Sequence, residues 1–66
     1  MKEVSFSEFE RCINRFEDGL KAIREDNYPN LVTEYYYRNN VLIGLIKTYF
    51  FINNPTEHEF YITEEL

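Results

Sequence analysis

Sixty-six residues make one small domain at most, 1–66, with a core that is marginal by itself, while a net charge of −5 opposes general binding to nucleic-acid phosphates. One cysteine, Cys12, and one histidine, His58, exclude an internal disulfide and a Cys/His zinc site, and no cofactor is expected. With 18% of residues Phe or Tyr, association with another chain is the remaining way to supplement the core.

The longest apolar stretches, Val41 to Ile46 and Tyr49 to Ile52, are too short to cross a bilayer, so no membrane partner is expected. Met1 to Glu10 is charged and unlike a signal peptide, and a lone thiol suits a reducing, cytoplasmic compartment.

In chain order, Phe6, Phe9, Ile13, Phe16, Leu20 and Ile23 recur at intervals of three and four, which predicts an amphipathic helix. Ser5 with Glu8 three residues on is a capping box that starts it near Phe6. Glu17 with Lys21, and Lys21 with Glu25, are opposite charges four apart on its exposed side. Gly19 falls inside this helix, and Asp26, Asn27 and Pro29 end it.

Beyond it, β-branched and aromatic residues dominate Leu31 to Tyr37, Val41 to Ile52 and Glu57 to Thr63, which read as three strands. Asn39-Asn40 suits a two-residue hairpin turn, and Asn53-Asn54-Pro55 marks the next. The expected fold is α+β, an N-terminal helix packed on a three-stranded antiparallel sheet (αβββ). The alternative is an all-α helical bundle, because Leu31, Tyr35, Leu42, Ile46 and Tyr49 also fall near one helical face.

A two-residue turn pairs Arg38 with Val41, Tyr37 with Leu42, Tyr36 with Ile43 and Tyr35 with Gly44. One face then carries Leu31, Thr33, Tyr35, Tyr37, Leu42, Gly44, Ile46, Thr48, Phe50 and Ile52, and is expected beneath the helix. The other carries Val32, Glu34, Tyr36, Val41, Ile43, Leu45, Lys47, Tyr49 and Phe51, with Glu34 near Lys47. One helix covers one face, so the second is expected to meet a partner, either a second copy in a homodimer or another protein.

Catalytic patterns are missing: with Gly19 and Gly44 as the sole glycines, no P-loop or dinucleotide fingerprint can be written, and no enzyme is expected. Cys12 borders the apolar stripe and reads as a buried, inert thiol, and His58 as a partly exposed strand residue. Tyr35, Tyr36, Tyr37 and Arg38 invite comparison with base-stacking platforms, but alternation turns Tyr36 away from its neighbours.

The expected activity is therefore protein binding, through Tyr36, Ile43, Leu45, Tyr49 and Phe51 with the acids Glu57, Glu59, Glu64 and Glu65, against a partner with a basic surface. Small size, acidity and abundant Asn, Ile, Phe and Tyr resemble the general style of phage or mobile-element inhibitors of host systems, anti-CRISPR proteins among them, without any shared motif. The alternative is a small dimeric nucleic-acid-binding or antitoxin-like regulator. It would use Arg11, Arg15, Lys21 and Arg24, whose field is largely cancelled on a helix by Glu8, Glu17, Asp18 and Glu25, so nucleic acid is not the favoured partner.

Overall fold

In the computed structural model, which describes residues 1–16, 18–27 and 29–63, the chain forms one helix and five strands. They run β1 (Lys2–Val4), α1 (Phe6–Arg15), β2 (Leu20–Asn27), β3 (Leu31–Arg38), β4 (Val41–Tyr49) and β5 (Glu57–Ile62). All neighbours pair antiparallel in the order β1-β5-β4-β3-β2. The three-stranded αβββ expectation is corrected to a five-stranded sheet. The all-α alternative falls too, because residues 31–49 form a hairpin.

The helix starts where its cap predicts: the Ser5 hydroxyl accepts the Glu8 N–H at 3.3 Å. It stops ten residues later, when the Phe16 N–H turns back to the Ile13 carbonyl at 3.0 Å. Gly19 has φ +79°, a left-handed conformation open to glycine, so it serves the turn into β2 instead of a helix interior. Arg38 secures this turn from across the sheet, donating to the Asp18 carbonyl at 3.0 Å with its guanidinium 5.4 Å from the Phe16 ring centre.

Leu20 and Ile23, the last members of the expected helical stripe, therefore belong to β2. Lys21 and Glu25 lie in that strand too, where residues four apart are too distant to pair; Glu17 lies outside the described residues. Asp26, Asn27 and Pro29 mark the end of β2 and the turn to β3, not the end of a helix.

Asn39 and Asn40 have φ of 53° and 65°, as a type I′ turn requires, and pair Arg38 with Val41 and Tyr37 with Leu42. Beyond them a β-bulge leaves Ile43 without a partner on β3. Tyr36 then lies opposite Gly44, Tyr35 opposite Leu45, Thr33 opposite Lys47 and Glu34 opposite Ile46. One inserted residue reverses the faces of β4 relative to β3, so neither expected face survives as drawn.

The helix sits over Gly44, Tyr36 and Phe60. Phe9, 4% exposed, meets Tyr36 edge-on at 5.5 Å and Phe60 at 5.5 Å, and Phe6 meets Phe60 at 5.3 Å. Gly44 was expected beneath the helix, and it is, but with Phe9 over it and with Tyr36 as neighbour in place of Tyr35. A Cβ on Gly44 would lie 2.9 Å from the Tyr61 carbonyl oxygen, 3.1 Å from Phe9 Cε1 and 3.6 Å from Ile13 Cδ1. Glycine here leaves room for the Tyr61 carbonyl of β5, the tightest neighbour, and for the helix side chains of Phe9 and Ile13 above it.

Urea denaturation should show Gly44→Ala losing about 1–3 kcal/mol through overpacking and Ser5→Ala about 1 kcal/mol through the lost cap. An unchanged midpoint for Gly44→Ala would mean that neither the Tyr61 carbonyl nor the Phe9 ring lies this close to Gly44.

Candidate interaction surface

The residues expected to form one partner face are divided by the bulge. Tyr36 lies beneath the helix against Phe9, and Ile43 is enclosed at 3% exposure within this single chain. Leu45, Tyr49 and Glu59 share the open face, opposite Tyr35, Leu31 and Lys47 respectively. Glu57 is paired with Tyr49 at its margin and is exposed, and Phe51 stacks on Tyr49 with ring centres 6.5 Å apart. Glu64 and Glu65 lie outside the described residues.

The open face shields much of itself. No described element packs on it, yet Thr33 and Leu45 are buried. Lys47 lays its ammonium 5.4 Å from the Tyr61 ring centre, and the two side chains line a shallow hollow with Met1 and Leu45. It faces away from Glu34, so the expected Glu34–Lys47 pair is not formed: Lys47 is opposite Thr33, and Glu34 is on the helix side.

Glu59 organises this face, its Oε1 accepting from the Tyr49 hydroxyl at 3.0 Å and the Tyr61 hydroxyl at 2.9 Å. Both phenols are held neutral. The hydrogen bond to Glu59, then desolvation and the repulsion a phenolate would meet from Glu59 and Glu3, push Tyr61 up to about 12 and raise Tyr49 as well. Tyr36 is raised chiefly by burial, then by Glu34.

Apolar surface is concentrated where β4 runs into its turn. Phe50, Phe51 and Ile52 are 47%, 40% and 98% exposed, and with Pro29, Asn30, Asn53 and Asn54 they line a hollow of about 650 Å³. The Phe50 N–H donates to the Asn30 carbonyl at 2.9 Å, which ties this tip to the β2–β3 turn. Phe50 and Ile52, expected on the face beneath the helix, lie beyond the end of β4 in this turn. The signal against that was Asn53-Asn54-Pro55, which ends β4 at Tyr49 and leaves the preceding apolar residues in the turn.

Elsewhere, Cys12 is buried, and burial raises its thiol against the opposing effect of Arg15. His58 is exposed, with Nδ1 3.1 Å from Thr48 Oγ1 and its ring stacked on Phe60. Arg11 and Arg15 line a cleft with Lys2 and Glu8, whereas Lys21 and Arg24 stand on β2, Arg24 bound to Asp26 at 2.8 Å. Among the described residues no three His, Cys, Asp or Glu side chains converge on a possible metal position, and no helix is long and apolar enough to cross a membrane. Comparison with known families, with characterised proteins and with solved structures returns no match.

The Tyr–Glu–Tyr bridge predicts a pH dependence. The folded chain raises Tyr61 above its ordinary 10, so its stabilising share is complete below pH 10 and lost as pH climbs towards 12. Ultraviolet titration of the phenols should show a step near pH 12 that moves down in Glu59→Gln. A wild-type titration complete by about pH 10.5 would contradict the bridge.

Proposed function

We propose that this chain is a non-enzymatic protein-binding module whose anchor is the tip formed by Phe50, Phe51 and Ile52. The observation that carries this is the exposure of three consecutive large apolar residues in one turn, with Ile52 almost wholly in solvent. Burying one such side chain in a partner's pocket gains about 1.5–3 kcal/mol, enough for a few residues to dominate an interface. The turn residue Phe50 is braced by its backbone bond to Asn30, so part of the ordering cost is met before contact.

Charge supplies direction. Glu57 and Glu59 lie beside the tip on β5, and the chain carries −5 overall, so the favoured partner surface is basic and its approach is steered by long-range attraction. The finer form is a cytoplasmic inhibitor of phage or mobile-element type that covers a basic surface of a larger host macromolecule. The regulator alternative draws less support: Arg11 and Arg15 are on α1 while Lys21 and Arg24 are on β2, so the four cations form no single stripe.

Affinity capture from bacterial lysate should compare wild type, Ile52→Asp and a control, Val41→Asp, at an exposed position at the other end of β4. A specific protein retained by wild type and control should fall at least tenfold with Ile52→Asp, about the loss of one anchor, and should elute with added salt. Capture of nothing but the chain itself, or equal retention by Ile52→Asp, would contradict the assignment.

A further inference from the structure

The two edges of the sheet are unequal. β1 offers three residues, whereas β2 offers eight, of which Lys21 through Asn27 are all exposed. β2 pairs with β3 on one side and, among the described residues, has no strand on the other, so its outward N–H and C=O groups form a template for another strand. The helix packs chiefly on β4 and β5, with Phe9 reaching Tyr36 of β3, away from that edge.

We propose that β2 pairs antiparallel with β2 of a second copy, about a two-fold axis at Ile23, making one continuous sheet from two chains. This is separate from the partner-binding tip, which lies in the β4–β5 turn. A continuous sheet requires opposed residues to share a face, so a symmetric seam must be centred on a residue. Centred on Ile23, it sets Lys21 of each copy opposite Glu25 of the other, on the open face, with Ile23, itself 55% exposed, against its own counterpart.

No other centre does as well. Centring on Lys21, Arg24, Glu25 or Asp26 places that charge against its own copy, and centring on Leu20, Ala22 or Asn27 brings no opposite charges of β2 together. Arg24 and Asp26, on the helix side of the strand, already bind each other at 2.8 Å and do not compete for Lys21 or Glu25. The charges that would guard this edge against unrelated strands thus fit one particular strand, its own.

Sedimentation equilibrium tests the seam by charge reversal. Wild type should sediment at twice the 8.1 kDa chain mass. Lys21→Glu, which opposes Glu to Glu, and Glu25→Lys, which opposes Lys to Lys, should each weaken association at least tenfold, and the double variant should restore it. Circular dichroism should stay unchanged throughout, since both side chains are exposed. Independently, Ile23→Cys should form an interchain disulfide on mild oxidation and Ala22→Cys should not, because only directly opposed positions lie within bridging distance. A monomeric wild type, a dimer indifferent to the single reversals, a double variant that stays monomeric, or bridging through Ala22→Cys in preference to Ile23→Cys would each overturn the seam.

Discussion

The contact of Phe9 with the bare backbone of Gly44 is the constraint from which the rest of this small molecule follows. A ten-residue helix has little apolar surface to offer, and here Phe9 and Cys12 are its buried members. Close approach lets that small surface reach Tyr36, Gly44 and Phe60 on three adjacent strands at once. Such an approach needs a glycine at the right place on the right face, and the bulge at Ile43 supplies both conditions by turning Gly44 to the side of Tyr36.

The same inserted residue shapes the other side of the sheet. Leu45 and Lys47 join Tyr35 and Thr33 there, and Lys47, Tyr61, Tyr49 and Glu59 interlock over the face through a cation–π contact and two phenol hydrogen bonds. The exposed large apolar residues lie at the Phe50–Ile52 tip, at Ile23 on the β2 edge, and singly at Met1, Phe6 and Val41. The two contacts proposed above fall at a turn and at an edge, places where side chains or backbone groups protrude with little rearrangement.

Much of the local structure was legible in the residues. Ser5 and Glu8 located the helix start, and Asn39-Asn40 the β3–β4 turn, because each acts through its own side chain or backbone preference within a few residues. The last three strands were recognisable from their β-branched and aromatic content. β2 was not: an edge strand exposed on both faces carries no alternation, so the three-and-four spacing of Phe16, Leu20 and Ile23 continued unopposed across a turn whose true marker was Gly19. β1 has three residues, too few for any period.

The bulge was illegible for a different reason. Nothing in Val41–Tyr49 announces an extra residue, since Leu42, Ile43 and Leu45 are interchangeable to any pattern based on hydrophobicity, and what the shift achieves, Gly44 beneath Phe9 and beside the Tyr61 carbonyl, depends on residues distant in the chain. As the candidate face was drawn from register, that single residue separated Tyr36 and Ile43 from Leu45, Tyr49, Phe51, Glu57 and Glu59. Nuclear Overhauser contacts across the β3–β4 hairpin and up to the helix measure this register directly. Phe9 ring protons close to Gly44 Hα and to the Tyr36 ring, with Tyr35 opposite Leu45, are the result required here; Tyr35 opposite Gly44, with its ring against Phe9, would contradict the account.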